Sequence, residues 1–241
     1  MLAFSKRCFK EIIRDPLNLI FGIGFPVILL LLLSAMQKNI PIDMFCIEKL
    51  APGICVFGLS FMTLFSATLI AKDKESSFLQ RLYTTPLKSI DFILGYMLPL
   101  IPIAFMQSLI CYVVAICLGL PLSINILYAL LLIIPISIFY ISLGLLFGSI
   151  LNVKQVGGIC GALLTNLTAW LSGIWFDIEL LGNTFTKIAD FLPFIHAVEL
   201  QRSIINGEYL NIFTNIYPVL IYCFITLVGA IILFLRQMKR N

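Results

Sequence analysis

Residues 72–89 have the sequence KDKESSFLQRLYTTPLKS, the longest charged interruption in a chain that is otherwise strongly apolar. Of the 241 residues, 61% are hydrophobic and 12% are charged. Soluble domains carry roughly 25% charged residues, so the composition predicts an integral membrane protein. The charged stretch lies between two long apolar runs, which predicts that it connects two membrane spans outside the bilayer.

Apolar runs close to the roughly 20 residues needed to cross a bilayer occur six times along the chain. The predicted spans are about 17–36, 52–71, 92–118, 126–151, 157–176 and 215–235. The fold class is therefore an all-α membrane protein with six transmembrane helices in a single domain, 1–241. Prolines within or near several spans predict kinks.

Residues 1–15 have the pattern of an amphipathic helix at the membrane interface. Phe4, Cys8 and Ile12 recur at a spacing of four, and basic residues fill the other face. The alternative is the start of a signal peptide. The apolar run that follows is longer than a signal sequence's apolar region and lacks a clear cleavage site, which favours a membrane span.

The distribution of basic residues orients the chain. With both termini on one side of the membrane, that side carries 12 of the 16 Lys and Arg residues and the other side 4. The positive-inside rule then predicts that both termini and residues 72–91 are cytoplasmic. The external segment 177–214 is too apolar for a solvated loop and too interrupted for a span, which predicts short helices in the outer leaflet, broken at Pro193.

Several classes of site are missing from the sequence. It contains no phosphate-binding Gly-x-x-x-x-Gly-Lys-Ser/Thr loop, no recognisable catalytic motif and no Cys/His cluster with metal-ligand spacing, so no catalytic or metal-binding residue is assigned. No ionisable residue falls within the six predicted spans, whereas ion-coupled carriers usually need one. Energy for uphill transport is therefore expected from another subunit. Pairing between Cys46 and Cys55 is left open.

Within residues 72–89, Ser77 and Gln80 have the spacing of a helix capping box. The short helix that follows would carry Phe78, Leu79 and Leu82 on one side, and Thr85-Pro86 would end it. The alternative is a plain solvated loop between two spans.

Residues 74–86, KESSFLQRLYTTP, resemble a pattern of the ABC type-2 permease family, Lys/Arg-Glu-x-x-x-Leu-x-x-Leu-x-x-Thr-Pro after the second span. Residues 171–176, LSGIWF, resemble the family's Ser-Gly-x-x-Phe at the outer end of span five. Residues 192–207 resemble its Leu-Pro stretch with an acid, an Arg and a Gly before span six. Together the matches extend over nearly the whole chain.

The resemblance implies two permease halves, the second being another copy or a paralogue, and two separate ABC ATP-binding subunits. ATP and Mg would be bound by those partners, and this chain would bind no cofactor. The segment after span two would be a coupling helix with these contact residues: Glu75, Phe78, Leu79, Arg81, Leu82, Thr85 and Pro86. A second inner contact would be Asn152, Lys154 and Gln155, for which the alternative is a plain turn.

Spans two and five line the pathway in the resembled family. The candidate lining residues here are polar positions of those spans: Ser60, Thr63, Thr165, Asn166, Thr168 and Ser172. The alternative for the small-residue stripe of span five, which includes Gly157 and Gly161, is close helix packing.

The expected function is thus the non-enzymatic membrane subunit of an ABC exporter that moves an amphipathic compound such as a drug, an antibiotic or a lipid-like molecule. Its expected location is the plasma membrane of a bacterium or archaeon, with membrane lipid as a partner and no nucleic acid. The alternatives are an ATP-independent carrier or channel, ABC export of a polysaccharide, and a membrane scaffold or sensor without transport.

Overall fold

A computed structural model describes residues 2–39, 45–76, 78, 89–176 and 178–240, and within these ranges it contains helices and no β-strand. The α-helices, numbered in chain order, are α1 Leu2–Arg14, α2 Pro16–Leu19, α3 Phe25–Gln37, α4 Ile47–Glu75, α5 Ser89–Met97, α6 Leu100–Cys117, α7 Ile124–Ile150, α8 Val153–Val156, α9 Thr165–Trp170, α10 Asn183–Phe191, α11 Pro193–Ile205 and α12 Leu210–Arg240. Two π-helical segments, Ile20–Gly24 and Gly157–Leu164, and a 3-10 turn, Ile178–Leu181, lie between them.

Five helical stretches of the described chain are long and apolar enough to cross a membrane. They are Ile20–Gln37, Ile47–Glu75, Ile90–Cys117, Ile124–Ile150 and Leu210–Arg236. The predicted fifth span, 157–176, forms a π-helical segment, the short helix α9 and a turn. Polar residues such as Thr165 and Asn166 lower the apolar character of this stretch, so the count of six spans stays a prediction.

The second span is longer than predicted. The expected boundaries were 52–71, but α4 continues to Glu75 and so includes Asp73, which is 1% exposed. The predicted span 52–71 itself contains no Asp, Glu, Lys or Arg, and Asp73 lies in the part of α4 that follows it. Asp73 can be buried because it has partners from elsewhere in the fold, and burial of a charge is tolerated when it is paired.

The centre of the bundle is α4. Its most apolar window is 89% buried, whereas those of the first and last spans are only 22% buried. α4 packs against α3, α6, α7 and α11 and against the segment Gly157–Leu164. Cys46 and Cys55, at and within its start, are both free thiols.

α4 and α7 approach each other closely at Gly144 and Gly148. A Cβ on Gly144 would overlap Ser66 Oγ and the Thr63 carbonyl, and one on Gly148 would lie 2.6 Å from the Ala67 carbonyl oxygen. This approach lets the Thr63 hydroxyl donate to the Tyr140 carbonyl at 2.8 Å. Small residues at such crossings are typical of membrane helix pairs.

The sequence hypothesis placed close packing at a different pair of glycines. A Cβ on Gly157 would meet nothing within 4 Å, and one on Gly161 would only touch the Leu64 side chain at 3.4 Å. Within the described chain, the close approach therefore lies at the Gly-x-x-x-Gly of α7 and not at that of span five.

Substituting Gly144→Ala should lower the free energy of unfolding by about 2 kcal/mol, because the added methyl forces α4 and α7 apart. Gly24→Ala is the matched control, since a Cβ there meets nothing within 4 Å. It should leave stability unchanged or raise it by up to about 1 kcal/mol. Denaturant titration of purified protein in micelles checks both, and equal effects of the two substitutions would contradict the packing described.

Residues 178–205 form the 3-10 turn followed by α10 and α11. Pro193 is the first residue of α11, a position where its missing N–H is not needed. Gly207 ends this helix with a φ of +77°. Glu208 N–H then donates to the Ser203 carbonyl at 2.8 Å. This is a helix C-terminus closed by a residue in the left-handed conformation, which favours glycine at position 207.

Candidate functional site

The N-terminal helix α1 lies against one end of the bundle, here called the basic end. Phe4, Cys8 and Ile12 are buried, as their spacing predicts. The Phe4 ring packs edge-on against Tyr96 of α5 at 4.8 Å between centroids. Burial raises the pKa of the Cys8 thiol to about 12, so this thiol stays protonated at neutral pH.

Asp73 connects α1 to the end of α4. Both carboxylate oxygens accept from the Arg7 guanidinium, at 2.7 and 2.5 Å, and the Tyr96 hydroxyl donates to the same carboxylate at 2.8 Å. The hydrogen bond from Arg7 to Asp73 raises the pKa of Arg7 further above its usual range. Three elements, α1, α4 and α5, thus meet at one buried carboxylate.

Phe78 is the one predicted coupling residue beyond α4 that lies within the described part of the chain. The Arg7 guanidinium carbon is 4.0 Å from the centre of its ring, and Phe78 stacks on Phe4 with centroids 6.4 Å apart. The segment after α4 is therefore held against α1 where it begins. Five further coupling residues of the sequence prediction lie outside the described residues: Leu79, Arg81, Leu82, Thr85 and Pro86.

Lys74 and Glu75 bind the turn between α7 and α8. The Lys74 ammonium donates to the carbonyls of Leu151 at 2.7 Å and Ser149 at 3.1 Å, at the end of α7. A cation at a helix C-terminus satisfies carbonyls that have no partner within the helix. The Glu75 carboxylate accepts from Val153 N–H at 3.0 Å, at the start of α8.

The predicted second inner contact adjoins this pair. Asn152 caps α8 by accepting from Gln155 N–H at 2.8 Å, and the Gln155 side chain accepts in turn from Asn152 N–H. Lys154 is exposed. The structure therefore brings Glu75 and residues 152–155 together at the basic end as one continuous surface.

The candidate pathway residues divide into two groups. Ser60, Thr63, Thr168 and Ser172 are buried, and their hydroxyls donate to backbone carbonyls. In the single chain these four are buried in the packed interior. Thr165 and Asn166 differ, because they line an open groove of about 500 Å³.

That groove is lined mainly by apolar residues. Its aromatic members are Phe21, Phe25, Phe57 and Phe61 of the first two spans, and Trp175. Thr165, 5% exposed, and the exposed Asn166 add polar groups to the lining. An apolar groove with few polar groups suits a ligand that is partly apolar and partly polar.

At the opposite end of the bundle, Arg202 joins the two outer motif regions. Its guanidinium donates to the Gly173 carbonyl at 2.8 Å and to the Lys49 carbonyl at 3.2 Å, and it pairs with Glu199 at 2.8 Å. Gly173 has a φ of +66°, a conformation that favours glycine. The Ser-Gly region and the Leu-Pro region are thus neighbours in space.

Arg202→Ala should lower the free energy of unfolding by about 2 kcal/mol, because it leaves the Gly173 and Lys49 carbonyls without a charged donor. Glu199→Gln is the matched control. It removes only a half-exposed pair three residues apart, which contributes at most about 0.5 kcal/mol. Thermal unfolding in micelles distinguishes the two, and a larger loss for Glu199→Gln would contradict this assignment.

Sequence reasoning missed Asp73, Arg7, Tyr96 and the link from Arg202 to Gly173. A signal for Asp73 was present, since it lies within the charged run directly after the second span. Its partner Arg7 is 66 positions away, and a single sequence gives no means to pair them. No group of three or more His, Cys, Asp or Glu residues able to hold a metal ion occurs in the described part of the chain.

Comparison with known proteins identifies the family of this chain. Two relatives named "Putative transport permease ycf38" match, from Porphyra purpurea at 35% identity over 92 residues and from Cyanophora paradoxa at 33% over 94 residues. These alignments cover 36% and 37% of this chain, and the chain spans 32% of the length of each relative. The family model for ABC-2 type transporters matches residues 1–206. The chain therefore belongs to the ABC-2 type transporter family.

Proposed function

We propose that this chain is the transmembrane subunit of an ATP-driven exporter, and that the segment 72–89 is where an ATP-binding subunit acts on it. The observation that carries this proposal is the set of contacts made by the last turn of α4. Three consecutive residues, Asp73, Lys74 and Glu75, join the central helix to the elements around it.

The proposed mechanism depends on these contacts acting as a lever. A force applied beyond Glu75 would pass into α4, the most buried helix. Through Asp73 it would also move α1 and α5, and through Lys74 and Glu75 it would move the junction of α7 and α8. A partner that binds at this one site would thus move most of the spans together. A pump needs such a movement to open its pathway first to one side of the membrane and then to the other.

The basic end would face the cytoplasm under the positive-inside rule, because the cations Lys6, Arg7, Lys10, Arg14 and Lys72 lie there. Two copies of the chain, or this chain and a paralogue, would form the pathway, with one ATP-binding subunit below each. The Asn166 side chain is exposed, although its amide donates to the Ala162 carbonyl at 2.8 Å, and this exposure supports a partner there, since a polar side chain facing lipid is unfavourable.

The substrate would be amphipathic, such as a drug, an antibiotic or a lipid-like molecule exported across the plasma membrane of a bacterium or archaeon. The aromatic groove with Thr165 and Asn166 supports this class. A polysaccharide would need many more hydrogen-bonding groups along its path than this groove offers.

Affinity purification of the tagged chain from native membranes tests the proposal. We expect an ATP-binding subunit to co-purify, and the complex to hydrolyse ATP. If the chain instead purifies alone after mild solubilisation and transports a compound with an ion gradient and no ATP, it is a carrier and the proposal is wrong.

A further inference from the structure

An open pocket of about 710 Å³ lies at the basic end, between α1, the start of α2 and the last turns of α4. Its walls carry five cationic side chains: Lys6, Arg7, Lys10, Arg14 and Lys72. Only two carboxylates, those of Glu11 and Asp15, line it as well. The pocket therefore has an excess of positive charge.

Ion pairs within the protein neutralise only part of this positive charge. Arg7 is neutralised by Asp73 and Glu11, and the Lys72 ammonium lies 3.6 Å from an Asp15 oxygen. Three other cations, Lys6, Lys10 and Arg14, are exposed and form no ion pair with any described residue. Residues 79–88, which follow α4, contain no Asp or Glu in their sequence.

The three cations form one row along α1, because their spacing of four residues places them on adjacent turns. The same surface carries two exposed apolar side chains, Phe9 at 37% and Ile13 at 47%. Phe9 and Ile13 lie three residues after Lys6 and Lys10 on the helix. A phosphate and a hydrocarbon chain would thus each find a matching partner on one helical surface.

We propose that this pocket binds the phosphate of an anionic phospholipid headgroup, with Lys6, Lys10 and Arg14 as its cationic ligands and Phe9 and Ile13 against the acyl chains. The pocket is lined by Arg7, which binds Asp73, and by Lys72 near the end of α4, so a bound lipid would hold α1 against the end of α4. This site is separate from the transport pathway, and its occupancy does not depend on the chain being an exporter.

The test uses the full-length chain in nanodiscs of phosphatidylcholine with increasing fractions of phosphatidylglycerol, and follows the thermal unfolding midpoint. We expect the midpoint to rise as the site fills. The triple variant Lys6→Gln, Lys10→Gln, Arg14→Gln should need at least about tenfold more phosphatidylglycerol for the same rise, since each cation near a surface contributes about 1 kcal/mol. Without phosphatidylglycerol it should unfold like the wild type, because the three side chains are exposed.

The matched control is Lys38→Gln, Lys49→Gln, Lys187→Gln, which removes the same charge from exposed lysines at the opposite end. It should keep the wild-type response to phosphatidylglycerol. If both triple variants lose the response to phosphatidylglycerol equally, the effect comes from general surface charge and the proposed site is wrong. It is also wrong if the variant of Lys6, Lys10 and Arg14 keeps the wild-type response. Inorganic phosphate added to phosphatidylcholine nanodiscs forms the last arm, and a full rise with phosphate alone would assign the pocket to a soluble ion and overturn the lipid proposal.

Discussion

Replacing Leu79 or Leu82 with aspartate should abolish coupling between ATP hydrolysis and transport, while the chain still inserts in the membrane. The sequence pattern places both leucines on the apolar side of the segment that follows α4. A helix docked in a partner's groove depends on such apolar anchors. Burying a carboxylate there costs about 3 kcal/mol or more, which corresponds to roughly a hundredfold weaker docking.

The measurement is the ATPase activity of the reconstituted complex compared with that of the ATP-binding subunit alone. Gln80→Asp is the matched control, because it adds the same charge to the same segment on its polar side. We expect Gln80→Asp to keep the stimulated activity and both leucine variants to lose it. Full activity in the leucine variants would show that this segment is not the docking helix.

Asp73→Ala should lower the free energy of unfolding by about 2–3 kcal/mol, the largest loss that we expect from any single charged residue. It removes the common acceptor of Arg7 and Tyr96, so the buried Tyr96 hydroxyl loses its acceptor and Arg7 keeps only its ion pair with Glu11. Breaking a fully buried pair costs about 3–5 kcal/mol, and the partial exposure of Arg7 reduces this figure. Denaturant unfolding of the purified wild type and variant in micelles measures this difference in the free energy of unfolding.

Glu11→Ala provides the comparison, because Glu11 pairs with the same guanidinium at 3.0 Å but on the surface. It should cost no more than about 0.5 kcal/mol. The double variant Arg7→Ala, Asp73→Ala should be less destabilised than the sum of the two single variants, since the two residues interact directly. Additive losses would mean that the Arg7–Asp73 pair does not form in the native protein.

Much of the architecture was predictable because a bilayer imposes a minimum length on each apolar helix. The helical fold class followed from the length of the apolar runs, and five of the six predicted spans have a helix of sufficient length at that place. The boundaries were less accurate where polar residues have partners. α4 begins at Ile47 and includes Pro52, and it continues through Asp73 because Arg7 and Tyr96 satisfy the carboxylate.

The candidate site was only partly predictable. Residues 72–75 and 152–155 were each selected from local pattern, but their contact through Glu75 and Val153 needs a fold that brings residues 78 positions apart together. The hydroxyls of Thr63 and Thr168 were expected to line a pathway because spans two and five line it in the resembled family. Their donation to backbone carbonyls gives them a packing role in the single chain, which periodicity cannot distinguish from a lining role.

The most direct measurement of the central claim is site-specific photo-cross-linking in native membranes, with the reactive residue placed at position 81. The proposed docking of the segment 72–89 predicts an adduct with an ATP-binding subunit. The same residue placed at position 185, where Phe185 is exposed in α10, should give no such adduct. Failure to capture an ATP-binding subunit from position 81, or equal capture from both positions, would contradict the claim that this chain is driven through that segment.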